Sequence, residues 1–264
     1  MIGKNHNAVK EKLLQGGNVL AAWAQAASNI TTEVLADAGM EAIIIDMEHS
    51  PVDLPTLVTQ FQAMNGYPAV PFVRAPWNDF VMIKRILDAG AYGIIVPNIE
   101  TVEEAKAAIA AVRYPLVGVR GVAGSTRAAH FGNDPISYFQ KANDLVLLFL
   151  MIESPRGMEN LDEILKLDGF DGIMVGPVDL ATNLGFLGNA QAPEAKAALE
   201  EVEAKVLASD KYLMALGSDW EAAKAKFAKG AHIVTCMSDT LSLGALARAN
   251  VKKYQELYSC EEQV

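Results

Sequence analysis

Short apolar runs that each stop in a charged group constrain this chain most. Ala42-Ile43-Ile44-Ile45 stops in Asp46-Met47-Glu48-His49, and Ala69-Val70-Pro71-Phe72-Val73 stops in Arg74. Leu147-Leu148-Phe149-Leu150-Met151-Ile152 stops in Glu153, and Gly172-Ile173-Met174-Val175-Gly176 runs through Pro177-Val178 into Asp179. Runs of this length and composition read as fully buried strands. Ionisable groups are costly inside a core, but at the open end of a buried strand they point into a cleft where acid–base or metal chemistry can use them. A single such charge is equally well a strand terminator at the surface. The same arrangement on several strands instead implies a parallel barrel with its site on one face.

The spacing between the runs supports the barrel. Ala36-Asp37-Ala38-Gly39, Leu87-Asp88-Ala89-Gly90, Leu167-Asp168-Gly169-Phe170 and Ala228-Lys229-Gly230-Ala231 each place a glycine where a helix stops before a buried strand. Asp53 with Pro55 reads as a helix start ahead of Leu54, Leu57, Val58 and Phe61, and Thr101-Val102-Glu103-Glu104 matches a capping box. Strands near Val19–Trp23 and Tyr212–Leu216 bring the count to eight, with helical patterns between most of them. This predicts a (β/α)₈ barrel, and residues 1–264 read as one domain without a linker. From Arg113 to Asn143 one connection is unusually long and carries Gly118, Arg120, Gly121, Gly124 and Arg127. Its two readings are a functional lid or subunit contact, and a solvated surface loop.

A net charge of −10 argues against nucleic acid and anionic membrane as partners. An anionic substrate then needs local positive charge, from Arg74 or from a bound cation. Cys236 and Cys260 are too few for a disulfide framework, which suits a reducing, cytoplasmic setting. Val19–Ala24 superficially resembles a signal peptide, but its apolar part is short and a polar lead with Glu11 precedes it, so it reads as the first strand. No apolar run approaches membrane-spanning length.

Glu153 and Asp179 end successive strands, and two acidic groups without a Cys or His cluster suit a hard cation such as Mg²⁺ or Mn²⁺. Arg74 offers a planar fork of donors for a carboxylate or phosphate, or else is a buried partner of Asp46 or Glu48. His49 is the one histidine at a strand end and a natural base near neutral pH, whereas His232 opens a strand and reads as packing. No strand ends in lysine, so carbanion chemistry would rest on a metal rather than a Schiff base.

Ile45-Asp46-Met47-Glu48-His49-Ser50-Pro51, Val73-Arg74-Ala75-Pro76-Trp77-Asn78-Asp79, Gly118-Val119-Arg120-Gly121, Ile152-Glu153 and Val175-Gly176-Pro177-Val178-Asp179-Leu180 together resemble the HpcH/HpaI family. These are metal-dependent class II aldolases acting on 2-oxo acids, including hydroxy-oxoheptanedioate and keto-deoxy sugar-acid aldolases. The resemblance runs, in order, along nearly the whole chain. It implies a divalent cation (Mg²⁺, Mn²⁺ or Co²⁺) held by Glu153 and Asp179, with Arg74 on the pyruvate carboxylate and enolate. It further implies His49 as base oriented by Asp88, backbone around Gly176 and Val178 lining the pyruvate site, and Trp23 facing the aldehyde. A homo-oligomer, often a hexamer, is implied as well.

Three departures stand out. Met151 occupies a place usually held by glutamine, Met237 replaces the usual glycine before Ser238-Asp239, and Leu216-Gly217-Ser218 after the seventh strand is unusual for the family. They leave room for a different C–C reaction, such as oxaloacetate decarboxylation or citrate formation for a siderophore. A barrel that binds an oxo acid without turnover is the alternative outside enzymes.

Overall fold

A computed structural model describes residues 5–258. Eight parallel strands, β1 (Val19–Ala24), β2 (Ala42–Asp46), β3 (Val70–Arg74), β4 (Gly93–Val96), β5 (Leu147–Ile152), β6 (Gly172–Val175), β7 (Tyr212–Leu216) and β8 (Ile233–Ser238), close in sequence order into a barrel. Between them run α2 (Asn29–Asp37), α3 (Leu54–Ala63), α4 (Phe80–Ala89), α5 (Val102–Val112), α6 (Pro135–Leu145), α7 (Pro155–Ile164), α8 (Pro177–Asn183), α9 (Pro193–Leu207) and α10 (Trp220–Ala228). Helix α1 (Ala8–Leu14) precedes the barrel and α11 (Asp239–Tyr258) follows it. The predicted (β/α)₈ barrel is the fold. No described helix is long and apolar enough to cross a membrane, and Cys260 lies outside the described residues.

The local signals act as their chemistry requires. Gly39, Gly90, Gly169 and Gly230, one at each predicted helix-to-strand junction, all have φ between 91° and 111°, a region where a Cβ is strained. Asp53 accepts the Thr56 N–H at 2.8 Å, and the Thr101–Glu104 capping box is complete.

Strand alternation divides the apolar residues into two layers. Ala21, Ile44, Phe72, Phe149, Met151, Met174 and Met214 fill the barrel interior, while Ile43, Ile45, Val73, Ile94, Leu148 and Ile173 meet the helices. Val9 and Leu13 of α1 join the interior layer. The Asn7 amide donates to the Tyr92 and Leu145 carbonyls, just before β4 and β5. Helix α1 therefore closes the N-terminal end of the barrel, and the charged strand ends gather at the opposite rim.

The long connection between α5 and β5 is not a lid over that rim. Its arginines turn inward at the N-terminal end instead. Arg113 donates to the carbonyls of Gly169, Asn143 and Val146 and meets Asp171 at 3.1 Å. Arg127 donates to the carbonyls of Ala89 and Phe61. A helix-to-strand connection in a parallel barrel necessarily lies at the N-terminal rim, so this segment braces the fold away from the candidate site.

Candidate active site

Asp46, the last residue of β2, is fully buried and organises half of the site. Parallel register places it beside Arg74 of β3. Arg74 grips it as a fork, Nε to Oδ1 at 3.0 Å and Nη2 to Oδ2 at 2.6 Å. Asp46 Oδ1 also accepts the backbone N–H groups of Glu48 and His49, and Oδ2 accepts from Gln25 Nε2 at 3.0 Å. Burial alone would push this carboxyl up, but the hydrogen bonds and charge of Arg74, with Gln25 and the His49 amide, hold it below the usual range. Asp46 thus remains an anion that fixes both Arg74 and the turn carrying Glu48 and His49.

Glu48 lies between the other two groups. Its Oε2 is 3.2 Å from Arg74 Nη1 and 3.7 Å from His49 Nε2. Burial pushes Glu48 upward while Arg74 and His49 pull it back. The His49 side chain is 60% exposed, free to meet a substrate from the cleft. The Trp23 ring lies 4.8 Å from the Arg74 guanidinium carbon and stacks against it.

Across the rim, Glu153 is buried, with Oε1 accepting the Asn98 N–H at 2.7 Å and its backbone carbonyl accepting from Asn183 Nδ2. Asn98 sits at φ 54°, a left-handed conformation that asparagine tolerates and that aims its amide at the carboxylate. The Oε2 atom faces the β6–α8 turn. A Cβ on Gly176 would stand 2.2 Å from it, so only glycine leaves room for the Glu153 carboxylate. Burial pushes the Glu153 carboxyl up to about 7; the Asn98 amide opposes this, and the charges of Glu48 and Asp179 add to it. Asp179 lies three residues beyond Gly176 in the first turn of α8, where the helix dipole favours a carboxylate.

Among the described residues no group of three His, Cys, Asp or Glu side chains is placed to hold a metal by itself. Glu153 and Asp179 offer two hard oxygen donors, a set that water and substrate complete for a cation such as Mg²⁺. One observation makes them a fit. Glu153 packs against Gly176 at the turn that leads into Asp179, and Glu48, Glu153 and Asp179 act on one another with Arg74 as the opposing fixed cation.

His49, Arg74, Glu153, Gly176, Val178 and Asp179 therefore share one rim, with Trp23 behind Arg74. Val178 is well exposed on α8. Asp88 does not join them within the chain. It lies near the C-terminal end of α4, which runs back from the site toward the N-terminal rim, and its Oδ1 accepts from Arg120 Nη2 at 2.9 Å. The acidic neighbour of His49 is Glu48 instead. Sequence reasoning missed Gln25 and Asn98, whose only signal is their place just past β1 and β4. Met151 is buried in the interior with Met174 and Met214, so apolar packing fills the place of a hydrogen-bonding side chain.

A family model described as HpcH/HpaI aldolase/citrate lyase matches residues 20–244, from β1 into α11. The chain belongs to the HpcH/HpaI family. It is 38% identical over 248 residues, 94% of each chain, to the 4-hydroxy-2-oxo-heptane-1,7-dioate aldolase of Salmonella dublin. An HpcH/HpaI aldolase/citrate lyase family protein from Burkholderia cenocepacia J2315 superposes with a TM-score of 0.87 at 34% identity, covering 96% of this chain and 99% of that one. The citrate synthase SbnG superposes with a TM-score of 0.85 at 24% identity, covering 95% and 98%. That last likeness shows the fold alone.

Proposed function

We propose that this HpcH/HpaI barrel is a class II lyase that reversibly cleaves a 4-hydroxy-2-oxo acid to pyruvate and an aldehyde. The substrate is of hydroxy-oxoheptanedioate or keto-deoxy sugar-acid type. The observation that carries this is an arginine pinned by Asp46 facing a set of carboxylates that lacks enough positive charge. Glu153 and Asp179 would hold the divalent cation, which when bound supplies Lewis-acid stabilisation of negative charge on an enolate.

The chain's own groups divide the remaining work. Arg74 has five N–H donors, and the contacts to Asp46 and Glu48 leave others for the substrate carboxylate in an orientation already fixed. His49 Nε2 lies 3.7 Å from Glu48 Oε2, and the mostly exposed ring is open to the cleft. His49 takes the 4-hydroxyl proton, directly or through water, the C3–C4 bond breaks, the aldehyde leaves, and the proton held by His49 passes to C3 of the pyruvate enolate, which restores the base.

Met151 favours a second reading, an HpcH/HpaI barrel turned to another C–C reaction such as oxaloacetate decarboxylation or citrate formation. A lactate dehydrogenase-coupled assay, with a thiol assay for coenzyme A released from oxaloacetate plus acetyl-CoA, separates the readings. Pyruvate released from 4-hydroxy-2-oxo acids supports the aldolase, pyruvate from oxaloacetate alone supports decarboxylation, coenzyme A release supports citrate formation, and no turnover in either assay supports a binding protein.

The raised Glu153 carboxyl predicts a pH signature. In the cation-free protein its folded value near 7 exceeds the ordinary value of 4.5. The folded state then binds the extra proton between these values, and this group's contribution falls by about 3 kcal/mol as pH rises from 4.5 to 7. Cation binding needs the carboxylate, so below pH 7 it should release about one proton and strengthen roughly tenfold per pH unit, levelling off above. Calorimetric titration in buffers of different ionisation enthalpy measures the proton. Release of none at pH 6 would remove Glu153 from the cation site.

A further inference from the structure

The pairing of β8 with β1 slips by one residue beside the candidate site. Ala21 pairs with Thr235 but Trp23 pairs with Ser238, so β8 spends an extra residue there. This is a β-bulge, a device that re-aims side chains and is frequent next to active sites. Ile233 packs in the barrel interior, and strict alternation would turn positions 235 and 237 the same way. Instead Cys236 and Met237 both pack against the outer layer, and Ser238 is the buried residue that follows them. The bulge thus delivers a hydroxyl, rather than a thioether, to the rim beside Trp23.

That hydroxyl enters a chain of hydrogen bonds whose polarity is fixed. Asp46 is an anion and can only accept, so the Gln25 amide turns its Nε2 toward Oδ2, at 3.0 Å. Its Oε1 then faces Ser238, which donates its one proton across 2.7 Å. Ser238 Oγ is left as an acceptor, and the Thr240 hydroxyl 3.0 Å away donates to it. The backbone of Gln25 is pinned as well. Asp239 accepts the N–H groups of Gln25 and Ala26 and the Thr31 hydroxyl, and Ala27 beside them is held at φ 51°. At the far end, Asp46 Oδ2 also accepts from Arg74 Nη2. With Gln25 and Arg74 both on that oxygen, the carboxylate cannot turn without breaking a bond, and the guanidinium it grips is held in one orientation.

We infer that Gln25 and Ser238 are positioning residues for oxo-acid binding: the bulged end of β8, acting through Gln25 and Asp46, sets the orientation in which Arg74 presents its remaining N–H groups. The inference rests on the proposed role of Arg74 at the substrate carboxylate. Both residues act through Arg74 rather than on the substrate itself. The slip at the barrel seam thereby acquires a use. Without the extra residue the position turned toward Gln25 would be Met237, which has no proton to donate.

Gln25→Met, similar in length but with no N–H to give, tests the inference with two readouts. The Arg74 Nε–H, whose NMR signal Arg74→Lys identifies by its loss, should exchange with solvent on the order of tenfold faster than in wild type. The KM for the oxo acid should rise on the order of tenfold, the worth of one hydrogen bond to a charged group, with cation affinity unchanged. Ser238→Ala, at the other end of the relay, should move both readouts the same way and keeps the test decisive where Gln25→Met folds poorly. Gln25→Glu separates positioning from packing. The introduced carboxyl faces Asp46 and Ser238, with Arg74 beyond Asp46. While protonated it can donate to Asp46 and accept from Ser238 as the amide does, and once ionised it repels Asp46. At saturating cation, the ratio of its KM to that of wild type should therefore stay near one at acid pH and climb as pH rises; groups that titrate in both proteins, such as His49 and Glu153, cancel in the ratio. Wild-type exchange and KM in both Gln25→Met and Ser238→Ala overturn the inference, as does a Gln25→Glu ratio indifferent to pH. If the wild type turns over no oxo acid, the functional reading fails, and Nε–H exchange alone decides whether the relay holds Arg74.

Discussion

His49→Ala should slow aldol cleavage by roughly 10²–10⁴, the usual worth of a positioned acid–base group, with cation binding left intact. The roles are physically separate. The imidazole is mostly exposed and has Glu48 as its ionic neighbour, while Glu153 and Asp179 stand across the rim. Its exposure also means that truncation removes little packing, so the variant should fold and melt like wild type. Steady-state rates together with cation titration check both halves of the expectation. A wild-type rate would strip His49 of the base role, and lost cation affinity would move it into the coordination shell.

Asp46→Ala should be the most destabilising single change at the rim. It leaves the Arg74 guanidinium buried without its partner and frees the backbone amides of Glu48 and His49. Removing one member of a buried pair costs about 3–5 kcal/mol, which in a chain of this size lowers Tm by roughly 6–20 °C. Activity should fall as well, because Arg74 and His49 both lose the group that orients them. Asp46→Asn, which keeps an acceptor for the amides but not the charge, should lie between the two. A thermal melt of Asp46→Ala that overlays the wild type would mean that Arg74 does not depend on this pair.

The barrel was legible because its signals are local. Apolar runs ending in charge, and a glycine before each of four strands, report burial and backbone conformation residue by residue, and all four glycines adopt the left-handed geometry. Convergence of His49, Arg74, Glu153 and Asp179 on one rim follows directly from parallel strands that all end there. Direction within the helices was harder to see. Asp88 lies only fourteen positions beyond Arg74, yet α4 carries it back to the N-terminal rim and Arg120 takes it as partner. The segment between 113 and 127 left a lid, a subunit contact and a solvated loop open by composition, and the backbone carbonyl partners of its arginines at the N-terminal rim exclude a lid over the site. Glu48 was visible in the sequence, but its placement between Arg74 and His49 arises because Asp46 accepts the two amides that shape the turn. Side-chain hydrogen bonds of that kind leave no periodic trace.

Under the proposed function, this rim would make a pyruvate enolate with the help of a divalent cation held by Glu153 and Asp179. Deuterium exchange at the methyl group of pyruvate, followed by proton NMR in deuterated water, tests it without knowledge of the aldehyde. The predicted result is exchange with Mg²⁺, Mn²⁺ or Co²⁺ present, lost on exhaustive chelation and restored by adding the cation back. Exchange that survives chelation, or no exchange with any of the three cations, would contradict it.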